Sequence, residues 1–181
     1  MNAAHLHIIL NHFPIIGTAI SIFVLLTGII MKSDEVKKVS LLVIVLTALV
    51  TIPVYISGDS AQAKVEGNYE DVDEDFIEAH EEFAKYSFIA MDILGVLAIG
   101  ALLRFKKPKQ LPGFVVFLML VFLLVVNGMM AYTANLGGKI HHPEIREDKL
   151  PWENSSSKSD DTKGERKEIK DKKEKDDDDG Q

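Results

Sequence analysis

The chain has 181 residues, of which 47% are hydrophobic and 26% charged, and its formal net charge is −7. Those averages hide two unlike regions: 13–31, 39–58 and 110–138 carry no charged residue, whereas 144–181 holds 14 acids and 10 bases. Charge-free apolar runs of about 20 residues match the ~30 Å hydrocarbon core of a bilayer and exclude a single soluble domain, while the absence of cysteine excludes disulfides, thiolate metal sites, iron–sulfur clusters and covalently attached haem.

The first apolar segment runs from Ala3 to Met31, 29 residues or roughly 43 Å of continuous helix, more than a bilayer core requires. Pro14 divides it, because proline removes a helix hydrogen bond and disfavours helical backbone in the residue before it. The spanning part is therefore 13–31, with 3–12 a histidine-bearing helix or loop at the surface. The segment has no basic leader and no small-residue cleavage site, so it reads as an uncleaved first span. The second span is 39–57, with Pro53 bending its end, and an acidic connection follows over 59–85. The third helix begins near Phe76 with two polar turns and spans over 80–103; the fourth spans 112–136. From Arg146 onward Lys, Asp and Glu alternate, with almost no large apolar residue after Trp152. Such a stretch buries too little apolar surface to offset its ordering entropy. The sequence thus predicts an all-α membrane protein, with an antiparallel four-helix transmembrane bundle over 1–145 and a disordered charged C-terminal tail over 146–181. Asp176 to Asp179 lack the spacing of a calcium loop.

The positive-inside rule orients the spans. The short 32–38 and 104–109 connections together carry seven bases and two acids, whereas 59–85 carries ten acids against Lys64 and Lys85. The basic connections therefore belong in the cytoplasm, and the acidic connection with both termini on the extracytoplasmic side of a bacterial inner membrane. That orientation gathers the histidines. His5, His7 and His12 precede or open the first span, His80 opens the third, and His141 and His142 follow the fourth, so all six fall at the outer face.

Neutral imidazole is the commonest metal ligand and a usual axial ligand of haem iron. A b-type haem between helices needs two imidazoles at similar depth on different helices, with small residues leaving room for the macrocycle. His12 and His80 meet that description, with Gly17, Ala19, Ala84 and Ala90 within three turns of them. His7 lies about 140° from His12 round a continuous helix, so the two converge only if Pro14 breaks the geometry. Plainer readings stand beside these: His12 as a buried residue bonded to backbone, His80 as a surface cap before Glu81 and Glu82, His141 and His142 as a solvated turn before Pro143. Asp92 is the second anomaly, near the middle of the third span. An acid there costs several kcal/mol unless paired or protonated, so Asp92 is expected to face the interior and meet Asn127, Thr47 or Thr51. It is a candidate proton-relay or quinone-binding group, or a hydrogen bond between helices.

Several stretches carry a family resemblance. H-I-I-L-N-H-F-P (His7 to Pro14) resembles the His-x4-His-Phe-Pro opening of a bacterial membrane family catalogued as domain of unknown function 2231. P-V-Y-I-S-G-D-S-A-Q-A-K-V-E (Pro53 to Glu66), His80-Glu81-Glu82 and N-L-G-G-K-I-H-H-P-E-I (Asn135 to Ile145) are similar to three further stretches of that family. Ile8 stands where the family often has proline, and His-His-Pro is a variant ending. The resemblance covers roughly 5–145 and implies a four-helix membrane domain similar in general architecture to the di-haem cytochrome b superfamily. It also implies electron transfer beside cytochrome-c-like partners. Since the inner face offers no histidine, one haem is expected, not two.

Three functions follow as expectations. The first is a membrane electron-transfer protein or subunit with one haem b at the extracytoplasmic face, held by His12 and His80, with His7 and His142 as reserve ligands or propionate partners. It would pass electrons between the quinone pool and an extracytoplasmic redox protein, alone or as part of an oligomer or complex. The second is a Zn- or Cu-handling protein using His5, His7, His80, His141 and His142 with carboxylates of 66–82. The third is an accessory or assembly subunit with no site chemistry. Hydrolytic chemistry is disfavoured, because no nucleophile elbow or H-E-x-x-H spacing exists, and nothing basic or aromatic points to nucleic acid. The chain is not expected to be an enzyme on its own.

Overall fold

The structure, a computed structural model, describes residues 2–68, 74–106 and 110–142; the tail expected over 146–181 lies outside the described residues. Met1–His141 form one compact unit. Among the described residues all regular structure is helical: α1 (Ala3–Leu10), α2 (Phe13–Ile30), α3 (Asp34–Ile56), α4 (Gly58–Asn68), α5 (Glu74–Arg104) and α6 (Gly113–His141).

Local chemistry sets most of these boundaries. The Asn2 side chain caps α1 by accepting the His5 N–H at 2.9 Å, satisfying one donor that the first turn leaves open. Pro14 stands in the first turn of α2, where its missing N–H is no loss, and α1 ends before it. Ser33 caps α3 through the Val36 N–H, and Asp34 and Glu35 occupy its first turn, where carboxylates complement the helix dipole. Lys32 turns the chain between α2 and α3 with φ of 53°. The 58–68 stretch, expected only as part of a connection, is helical as α4; its A-Q-A-K run (Ala61 to Lys64) has good helix propensity, and α4 gains a partner by packing on α1.

Four helical stretches, Ala3–Ile30, Asp34–Lys64, Glu74–Arg104 and Gly113–Ile140, are long and apolar enough to cross a membrane. Within the unit α2 packs on α3 and α6, and α5 packs on α3 and α6. The shared core includes Leu25, Leu41, Ile44, Met91, Leu94, Leu123 and Val126. Between α2 and α3, Gly28 lies against the Lys37 backbone, Ser40 Oγ donates to the Ser21 carbonyl at 2.8 Å, and Gly17 lies against Thr47. Gly95 meets Ala48 so closely that a Cβ there would stand 2.6 Å from the alanine methyl. Outward faces are apolar: Phe23 is 73%, Ile30 80% and Phe114 71% exposed. A water-soluble monomer does not expose apolar surface on this scale.

The interior mixes apolar and small polar side chains along its whole length. Toward the end bearing Asp34 and Arg104 it is filled by Leu25, Leu41, Ile44, Leu94, Ala98 and Leu123. There the Leu111 N–H donates to Asp34 Oδ1 at 3.0 Å and Lys38 pairs with Oδ2 at 2.9 Å, tying the start of α3 to the approach to α6. Toward the other end the buried hydroxyls of Thr18, Thr47, Thr51, Ser57 and Ser87 lie among buried Phe76, Ile77, Ala79, Met130 and Leu136. That end carries His7 and His80.

Candidate functional site

Two imidazoles are held at this end by backbone carbonyls. α1 packs on α4 and on α3, which brings His7 to the last turn of α3. Its Nδ1 lies 2.9 Å from the Val54 carbonyl oxygen and 3.4 Å from Ser57 Oγ, while Ser57 Oγ donates to the Pro53 carbonyl at 2.7 Å. On the α5–α6 contact, His80 Nδ1 lies 2.9 Å from the Thr133 carbonyl oxygen. The same residue's hydroxyl meets Ser87 Oγ at 2.9 Å and donates to Met129 O at 3.0 Å. Gly137 gives the His80 ring its space, since a Cβ there would stand 3.0 Å from Cε1. His7 and His80 are half-buried and within electrostatic reach of each other.

The carbonyl contacts fix the tautomers. A carbonyl oxygen only accepts, so each Nδ1 carries a hydrogen and donates it. In the neutral ring Nε2 is then the lone-pair nitrogen, and an anchored Nδ1–H is the arrangement that orients metal-ligating histidines. The donor set is two imidazoles from different helices, each anchored at Nδ1, with a glycine beside one of them.

His12, expected as one of the two ligands, has a different place. It lies in the turn between α1 and α2, exposed, with its ring bonded to the neighbouring Asn11 side chain. His5 is exposed on α1, His141 closes α6, and His142 is exposed after it. Among the described residues, no group of three or more His, Asp or Glu side chains stands where a metal ion would be held.

The partners expected for Asp92 are engaged elsewhere. Asn127 donates to Thr18 Oγ1 at 2.9 Å, Thr47 to the Val43 carbonyl at 2.8 Å and Thr51 to the Thr47 carbonyl at 2.8 Å. Threonine in a helix saturates its own carbonyl four residues back, and α2 claims the asparagine. Asp92 itself is half-buried, at the margin between buried Met91 and Gly95 and exposed Ile89 and Val96, and makes no hydrogen bond among the described residues.

Sequence reasoning missed Thr133, Ser87, Gly137 and Val54 as neighbours of the histidines. Ser87, two turns after His80, shares its helix face by spacing alone. The register that sets Thr133 against His80 belongs to the contact between helices and leaves no local signal. No family model, curated protein or solved structure matches this chain.

Proposed function

We propose that the protein is a multi-pass electron-transfer protein of a bacterial inner membrane, an antiparallel four-helix transmembrane bundle that holds one haem b near its extracytoplasmic face. The observation that carries this reading is the His7–His80 pair, each ring donating Nδ1–H to a backbone carbonyl and keeping Nε2 for a ligand. In this reading His7 and His80 would hold the haem iron, in place of the expected pair His12 and His80. The four apolar helices and the seven bases of the two short connections support the membrane placement and orientation.

A haem held there supplies reversible one-electron transfer at a potential set by its two imidazoles and their surroundings. The chain's own residues do the rest. Val54 and Thr133 fix the ring orientations through their carbonyls, and Ser57 adds a second polar contact at His7. The stacked pair Tyr55–Phe88, with centroids 4.4 Å apart, and the edge-on pair Phe83–Tyr132 at 4.6 Å wall the same half of the molecule with apolar surface. The redox partners in this reading are membrane quinol and an extracytoplasmic acceptor.

Substitution separates the ligand pairs. In detergent-purified protein, His7→Ala and His80→Ala should each lose the b-type bands of the reduced-minus-oxidised spectrum, whereas His12→Ala should retain them. Retention in His7→Ala with loss in His12→Ala would refute the assignment.

A further inference from the structure

Asp92 belongs to a stripe on the outward side of α5. Lys85, Ile89, Asp92, Val96, Ile99 and Leu103 follow one another by four and three residues alternately, which places them in one line along a helix. Val96 and Leu103 are each 68% exposed, and Ile89 and Ile99 are also exposed. Beside the line Gly100 is exposed, with open space where a Cβ would stand. We propose that this stripe is the contact between two copies of the chain, with their α5 helices side by side and Asp92 of one facing Asp92 of the other.

The inference rests on the membrane part of the functional reading and is independent of haem. Lipid tails suit Ile89, Val96, Ile99 and Leu103, but not a carboxyl near the middle of the 80–103 span. No water is available at that depth, and the aspartate side chain has one methylene, too short to reach either interface. Nothing among the described residues relieves it. Alternating steps of three and four are the repeat of a helix–helix seam, and one polar residue within such a seam fixes register and joins helices in lipid. Two copies inserted with the same orientation pair through a two-fold axis along the bilayer normal, which sets Asp92 opposite itself at equal depth. A carboxyl carrying a proton donates and accepts at once, so each satisfies the other. A small polar ligand would need walls on several sides, whereas Ile89 and Val96, which flank Asp92 along the stripe, are both exposed.

The absence of cysteine makes the test direct. Val96→Cys, and Phe117→Cys on the 61% exposed site of α6, are made separately in the full chain. Membranes are washed at alkaline pH, oxidised and resolved without reductant. Val96→Cys should give a disulfide-linked dimer and Phe117→Cys should not. Adding Asp92→Leu should weaken the association on the order of tenfold, and Asp92→Asn, which keeps a donor and an acceptor, should preserve it. The proposal is overturned if Val96→Cys stays in washed membranes yet crosslinks no more than Phe117→Cys, or only to another polypeptide. It is equally overturned if Asp92→Leu leaves crosslinking intact. Loss of the chain from washed membranes would instead overturn the membrane reading, and this inference with it.

Discussion

At position 137 of α6, a methyl group decides whether the His80 ring keeps its place. A Cβ there would stand 3.0 Å from Cε1 and 3.2 Å from Nδ1 of His80, closer than the ring accepts while it holds the Thr133 carbonyl. Gly137→Ala should therefore cost about 1–3 kcal/mol as an overpacked contact and weaken haem retention. Gly138→Ala meets open space and should do neither; thermal unfolding in detergent and the visible spectrum read both effects. Span order and loop charge predict from the sequence that the histidines collect at one end. The sequence did not reveal which rings the backbone carbonyls anchor. His7 stands about 140° from His12 only on an unbroken helix, and the turn at Asn11–His12 removes that condition. The placement of α1 on α3 and α4, a tertiary contact, brings His7 to the Val54 carbonyl.

Among the elements, the four apolar helices were legible because long charge-free runs, a proline in a first turn and a serine cap are local signals. α4 was not, since its polar composition gives no apolar stripe to read. The junction of α3 with the segment before α6 was also invisible, because Asp34 and Leu111 are distant in sequence. Asp34 lies in the basic 32–38 connection, outside the second span. Burial disfavours its charged form, but hydrogen bonds from Lys38 and the Leu111 N–H, with the charges of Lys38 and Lys37, outweigh that and hold the carboxyl below its ordinary 3.8. A lowered carboxyl pKa stabilises the fold fully above the unfolded value, and the gain disappears as pH falls through the folded value. Asp34→Asn should therefore cost about 1–2 kcal/mol near neutral pH. The gap from the native chain should close as pH drops below 3.8, followed by thermal midpoints in detergent. A gap independent of pH would mean the charge is not what holds the junction.

For the whole molecule, the charge asymmetry of its loops sets the expected orientation. The half of the core near Asp34 is closed by Leu25, Leu41, Ile44 and Leu94, and the basic connections lie at that end. The half with Thr51, Ser57, Ser87 and the two anchored imidazoles faces outward in the proposed orientation. A cysteine-free chain permits a clean check: His5→Cys should react with an impermeant maleimide added outside intact cells, and Lys106→Cys should react only after lysis. The reverse pattern would invert the topology and place the histidines on the cytoplasmic side.

Whether the proposed outer end holds a haem is read by a pyridine haemochrome assay with a reduced-minus-oxidised spectrum of the same purified sample. A b-type signal near one haem per chain is expected. A folded, colourless protein from haem-sufficient cells would contradict it.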